Sequence, residues 1–386
     1  MPNWPPNYKK IKSLQAEPEP LDVWLSPEIQ DPRWDDFLRS TPYGQFQQSG
    51  MWADYKAGEG WQHYRVIVTS AAEIVGGFQI LWKKKGLVRI GYVSKGPVVS
   101  PENPTRVQQL KELLCEATRH LKLIALIAQD PDEAQHFTNT SEALGFVESN
   151  PAQLVETTYL VDVSDDMETV RRRMSQSHRK HVRKAQKLGV EIRIGTETDL
   201  PHFYNLMAAT CARQNTSPNP ANAPAFYRLW RAFSPTHSIR LTLAERGGLS
   251  PAGLVCLVFG NRTSLWKKGW DGSMHDWNTG TFLEDNALEW AHVNGSKIGD
   301  FCAITRFTAL HVLSGKGIAN APLPTNDQFK LRFGGYPKIL PSAYIYFPNP
   351  ILRWGYRTFY PFWGKYSNRS NRPNIDTESL KAADNT

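Results

Sequence analysis

The feature that most restricts the fold is a succession of β-type runs, an amphipathic helix and a buried run that occurs twice along the chain. In the first half, Trp34–Arg39 and Gly50–Ala57 read as short helices. Tyr64–Thr69, Ile74–Lys83 and Val88–Val93 read as strands, being β-branched or aromatic and separated by turn-prone residues. Val107, Leu110, Leu113, Leu114, Ala117 and Leu121 recur at helical spacing and predict a helix over Pro104–Leu121. Ile124–Ala128 reads as a buried strand, Pro131–Leu144 as a helix and Leu154–Val163 as a strand.

The second half follows the same order. A charged helical segment, Asp166–Leu188, precedes the strand Val190–Ile194. Helices over Leu200–Arg213 and Ala223–Phe233 lead to strands over Ser238–Ala244, Gly253–Phe259 and Ser264–Trp270. A helix, Phe282–Asn294, and a buried strand near Ile298–Cys302 complete it. This pattern predicts an α/β (α+β) chain of two units of about 150 residues each, with a duplication at the level of the fold. The expected division is a Pro-rich segment 1–20 ordered only by docking, units 21–163 and 164–314, a C-terminal segment 315–366 and a disordered polar tail 367–386.

Charge narrows the function. Lys and Arg number 45 against 37 Asp and Glu, a formal excess of +8. Thr169–Val190 alone holds eight Lys or Arg and no carboxylate, so the remainder of the chain is neutral. One anion-binding surface is therefore predicted, not a uniformly basic protein. Within it, Arg179, Lys180, Arg183 and Lys184 suit phosphate contact, with tRNA or an anionic membrane as the polyanion; the plainer reading is a solvated helix face.

Other classes lack support. The start of the chain has no apolar signal-peptide core, and no run of eighteen apolar residues is present, which predicts a cytoplasmic chain without a spanning helix. Cys115, Cys211, Cys256 and Cys302 form no CxxC pair and read as free thiols in a reducing compartment, with no metal site. No GxSxG, HExxH, GxxxxGK[ST] or [QR]xxGx[GA] run occurs, so hydrolase, zincin, P-loop and ordinary acetyl-CoA readings are unsupported. Between Tyr344 and Tyr366, rings such as Trp354 and Phe359 alternate with Arg353, Arg357 and Lys365 without an acidic residue. That composition fits peripheral contact with the inner face of a membrane, or a domain or subunit interface; Pro348, Pro350 and Pro361 argue against one long helix there.

Seven short motifs, in order, carry a resemblance. They are Phe46-Gln47-Gln48-Ser49 with Trp52, Lys56 and Gly60-Trp61; Ile90-Gly91-Tyr92-Val93-Ser94-Lys95-Gly96-Pro97-Val98; and the run Ser177–Ala185. Thr210-Cys211-Ala212-Arg213, Trp266-Lys267-Lys268-Gly269-Trp270, Gly299-Asp300-Phe301 and Phe329-Lys330-Leu331-Arg332-Phe333-Gly334-Gly335 follow. Over roughly residues 40–340 the chain resembles the FemA/FemB/FemX family of aminoacyltransferases. The resemblance implies two tandem GNAT-like domains with mixed, mainly antiparallel sheets, the C-terminal segment returning to the first. It implies aminoacyl transfer from aminoacyl-tRNA to an amine of a lipid- or nucleotide-linked peptidoglycan precursor, with no other cofactor. Two departures are the absence of heptads for a coiled-coil arm and a longer, less glycine-rich Gly299–Asn326.

The resemblance also distributes roles. Lys330 would stabilise the developing oxyanion and Phe329 line the acyl pocket; Lys56 and Arg213 would grip the precursor's phosphates. Tyr92, Lys95, Trp270 and Trp52 would border the acceptor. Each has a plainer reading, as a solvated Lys, a helix-capping Arg or a packed ring. Asp300 is the best protein candidate for the proton acceptor, although the substrate itself can take that proton. The alternatives are an acyl-CoA donor with an amino sugar acceptor, and a non-catalytic GNAT pair that binds RNA or membrane.

Overall fold

The structure, a computed structural model, describes residues 7–16, 19–101, 103–134, 141–317 and 321–367, with 361–367 as backbone. The start of the Pro-rich segment, the middle of the expected helix Pro131–Leu144 and nearly all of the polar tail lie outside the described residues.

Two sheets form. The first contains β1 (Lys9–Leu14), β2 (Leu21–Ser26), β3 (Gln62–Ser70), β4 (Glu73–Lys85), β5 (Val88–Ser94), β6 (Val98–Val99), β7 (Ala125–Gln129) and β8 (Val147–Glu148), and takes in β16 (Ala343–Tyr346) from the end of the chain. The second contains β9 (Thr157–Asp162), β10 (Glu191–Ile194), β11 (Ile239–Arg246), β12 (Leu249–Phe259), β13 (Arg262–Trp270), β14 (Ile298–Ala303) and β15 (Tyr336–Ile339). The orders β2-β3-β4-β5-β7-β16-β8 and β10-β11-β12-β13-β14-β9-β15 match strand for strand. In each, one neighbouring pair is parallel, β5 with β7 and β13 with β14, and the others are antiparallel. The duplication read from the order of segments is therefore a duplication of topology.

The boundaries differ from those expected. Thr157–Asp162, assigned to the first unit, pairs with β14 and β15 in the second sheet. The C-terminal segment divides, β15 joining the second sheet and β16 the first. Hydrophobic alternation shows that a strand is half-buried, but not which sheet supplies its partners. Lys9–Leu14 is ordered by docking, as an edge strand on β2. The segment Asp166–Leu188 is two helices, Met167–Arg173 and Gln176–Lys187. Ser175 breaks it by capping the second: its hydroxyl accepts from the His178 N–H at 3.2 Å, while its own N–H donates to the Arg332 carbonyl at 2.8 Å. Near the C-terminus, the helix Pro350–Ser367 continues through Pro361. Pro350 occupies its first position, where no backbone donor is needed.

Each sheet packs its helices over its own core, Val66, Phe78, Leu110 and Leu126 in the first and Val161, Leu254, Leu288 and Phe333 in the second. A third cluster mixes the units: Trp34, Phe46 and Met51 pack with Phe203, Phe226 and Leu241. The fully buried Trp34 also donates from Nε1 to the Gln48 carbonyl at 2.8 Å. Burying rings from both units in one apolar body fixes their mutual orientation, and so the cleft between them.

Candidate active site

The cleft begins where β13 and β14 separate. Their parallel pairing covers only Arg262–Ile298, Thr263–Gly299 and Ser264–Asp300. On its other side β14 breaks register with β9 between Asp300 and Ala303, and Cys302 has a φ of 59°. A left-handed non-glycine residue turns the strand away from its neighbour. The resulting gap forms part of a cleft of about 680 Å³, whose opposite wall is Pro42–Gln47 and Lys95 of the first unit.

Two lysines approach this gap. Lys330, in the last turn of the helix Thr325–Leu331, donates from Nζ to the Ala303 carbonyl at 2.6 Å. Lys267 lines the cleft with its Nζ 4.8 Å from the Trp266 ring centre. Burial lowers the proton affinity of both amines, and Cys302 neighbours each. Burial also pushes the Cys302 thiol up to about 12, which keeps it protonated. Successive strand residues point to opposite faces. Lys268 therefore leaves the cleft and pairs with Glu284 at 2.8 Å, its Nζ lying 4.1 Å from the Phe329 ring centre.

Phe329 is packed from the other side by His178 and Phe333, with ring centres 5.0 and 5.5 Å away. The His178 Nε2 lies 3.1 Å from the Phe329 carbonyl. Burial lowers the pKa of His178 to about 4, so the neutral ring donates to that carbonyl. Two glycines bring the Lys330 helix to this position. Gly334 has a φ of 76°, and a Cβ there would stand 2.2 Å from the Arg173 carbonyl oxygen; one on Gly335 would stand 2.0 Å from that of Leu160. The Tyr159 hydroxyl closes the turn, donating to the Leu331 carbonyl at 3.0 Å and accepting from the Gly335 N–H at 2.8 Å.

Lys95 and Asp300 border the same cleft but are engaged within the protein. Lys95 pairs with Asp132 at 2.6 Å; Asp132 also meets Arg262 at 2.5 Å and accepts from Gln45 at 2.9 Å. Desolvation of Asp132 is outweighed by these two cations, which hold its carboxyl at about 2. The Asp300 carboxylate accepts from Thr158 at 2.5 Å and from the Cys302 N–H at 2.8 Å, and lies 3.5 Å from Arg262. Asp132 and Arg262 thus join the units, and Asp300 holds the bend at Cys302. Neither Lys95 nor Asp300 presents a free group to a substrate.

The other sequence-selected residues form separate groups. Lys56, Trp52 and Tyr92 stand together on the first unit: Lys56 Nζ lies 5.2 Å from the Trp52 ring centre and pairs with Glu59 at 2.6 Å, and burial raises the Tyr92 phenol above its ordinary value. Arg213 lies 4.6 Å over the Trp270 ring and donates to the Trp270 carbonyl. Like Lys330 and Phe329, none of these five is among the described residues that line the cleft. On the basic helices, Arg179 is turned inward to the Arg172 and Met174 carbonyls and Lys184 reaches Asp276 at 3.4 Å, whereas Lys180 and Arg183 are exposed. Lys267 and His178 both lay within the quoted motifs; a paired Lys-Lys on a strand and a His three residues after a capping Ser were the available signals.

Comparison with known proteins agrees with this architecture. Residues 172–306 match the model of an acetyltransferase (GNAT) domain. A protein named lipid II:glycine glycyltransferase from Staphylococcus saprophyticus is 29% identical over 48% of this chain and 48% of its own length. The chain spans about half the length of the glycyltransferases it matches. The UDP-N-acetylmuramoylpentapeptide-lysine N(6)-alanyltransferase of Weissella viridescens is 26% identical over 67% of this chain and 80% of its own. A crystal structure of FemX shares the fold, with a TM-score of 0.73 at 17% identity over 84% of this chain and 96% of that one. The resemblance to the FemA/FemB/FemX family and the tandem GNAT-like fold are thereby borne out.

Proposed function

We propose that this chain is an N-acyltransferase that transfers an aminoacyl group from aminoacyl-tRNA to an amine of a lipid- or nucleotide-linked peptidoglycan precursor. The observation that carries the reading is the pair of desolvated lysines, Lys330 and Lys267, at the split between β13 and β14. Amide formation requires a positioned ester, a neutral amine and positive charge where the oxyanion forms. The acceptor nitrogen attacks the ester carbonyl, the oxyanion forms beside the Lys330 ammonium, and the bond to the ribose oxygen breaks. Lys267, whose proton affinity burial lowers, takes the proton lost by the acceptor nitrogen and passes it to the departing ribose oxygen. Phe329, fixed by His178, walls the acyl group. Lys56 and Arg213 hold precursor phosphates, beside Trp52, Tyr92 and Trp270.

The basic helices offer Lys180 and Arg183 to tRNA phosphates. The chain acts in the cytoplasm at the inner face of the membrane. The GNAT match over 172–306 favours a second reading, an acyl-CoA donor acting on an amino sugar.

The test supplies purified protein with labelled aminoacyl-tRNA and a lipid-linked muropeptide. Label should pass to the muropeptide, and Lys330→Ala should slow transfer by about 10² to 10³, the range for losing one oxyanion donor. No transfer by folded wild type, with transfer from acyl-CoA instead, rejects the aminoacyl reading.

A further inference from the structure

The hairpin joining β4 and β5 ends in an apolar residue. Leu87 at its tip is 97% exposed, between exposed Lys84, Lys85 and Arg89. A leucine there contributes nothing to the core, and tight turns ordinarily carry Gly, Asn, Asp or Ser. The tip adjoins the turn that follows the helix Pro104–His120. Leu87, Val88, Arg89, Arg119, Lys122 and Pro348 line one shallow groove of about 460 Å³.

From Pro348 this surface continues onto the helix Pro350–Ser367. That helix exposes Ile351 (74%), Leu352, Trp354 (65%) and Phe359. Its start is pinned by Arg353, which donates to the Phe347 carbonyl at 3.1 Å and lies 5.4 Å over the Tyr346 ring. The three stretches involved, 83–95, 119–129 and 344–367, contain no Asp or Glu.

The composition discriminates among occupants. RNA rewards the cations and flat rings, but gains nothing from aliphatic Leu87, Ile351 and Leu352. Protein interfaces deplete lysine. A lipid headgroup region rewards every element: aliphatic tips reach the acyl boundary, Trp sits at headgroup level and Lys and Arg meet phosphates. We propose that this face, the β4–β5 tip with the Lys122 turn and the start of the C-terminal helix, docks on an anionic phospholipid bilayer. Leu87, Ile351 and Trp354 enter the interface, and Lys84, Lys85, Arg89 and Lys122 pair with lipid phosphates. β5 runs from the tip to Tyr92, about 13 Å at the rise of an extended strand. Membrane docking stands whether or not the donor is aminoacyl-tRNA.

Flotation of the full chain tests it, with vesicles of phosphatidylcholine alone and with about one quarter phosphatidylglycerol, at about 0.1 and 0.5 M salt. Binding should require phosphatidylglycerol and weaken at high salt. Lys84→Ala/Lys85→Ala should lose about 25-fold in partitioning, at about fivefold per basic residue. Leu87→Ser should lose at least about tenfold. Unchanged urea midpoints establish that these exposed-tip variants remain folded, and Ile351→Ser/Trp354→Ser provides a second probe distant in sequence. Failure of wild type to bind the anionic vesicles at low salt overturns the proposal. So do equal binding by all variants, or a Leu87→Ser defect seen with labelled RNA and not with vesicles.

Discussion

Asp132 is the residue whose loss should cost the joint between the units most. Its carboxylate is buried against Lys95 and Arg262, at 2.6 and 2.5 Å. The pKa falls from 3.8 to about 2, and that shift corresponds to about 2 to 3 kcal/mol. Because the folded value lies below the unfolded one, this stabilisation is complete above about pH 5 and is lost as pH falls toward 2. Asp132→Asn removes more than the linkage energy, since it leaves two cations buried against a neutral amide. A cost of about 3 to 5 kcal/mol is expected at neutral pH. Urea unfolding followed by tryptophan fluorescence at pH 6 and pH 3 provides the assay. Wild type should lose about half of the linkage term by pH 3, a loss absent from Asp132→Asn. Lys95→Met should couple to Asp132→Asn in a double-mutant cycle and leave the KM for the precursor unchanged. A cost below about 1 kcal/mol for Asp132→Asn, or identical pH slopes in the two proteins, would refute the reasoning.

Two further outcomes follow from the site. His178 has a pKa lowered by burial to about 4, so wild-type stability should fall as pH drops from 6.5 toward 4 while the unfolded imidazole takes up a proton. His178→Gln should flatten that part of the curve in thermal melts, and an unchanged slope would show that the ring is not desolvated. Gly334→Ala places a Cβ 2.2 Å from the Arg173 carbonyl oxygen at a φ of 76°. It should destabilise by roughly 2 kcal/mol or more and reduce transfer through displaced Lys330; a melting temperature equal to wild type would contradict the close approach.

The sequence by itself determined the elements and their repetition. Helical spacing over Pro104–Leu121 and strand-like runs such as Ser238–Ala244 are local signals, set by which face each segment must bury. The motif around Lys330 was also legible, because its glycines and aromatics lie within seven consecutive residues, Phe329 to Gly335. Partnership was not legible. Thr157–Asp162 has the alternation of a strand in either unit, and pairing with β14 and β15 decided its sheet. Lys95 had the chemistry of a substrate contact and Asp300 that of a proton acceptor until Asp132 and Arg262, distant in sequence, were brought beside them. Lys267 became a candidate only when the parting of β13 and β14 put one lysine of an adjacent pair into the cleft and sent the other to Glu284. A side chain's charge is written in the sequence, but its solvation and its counter-ion are properties of the packed molecule, and those decide whether it is free to act.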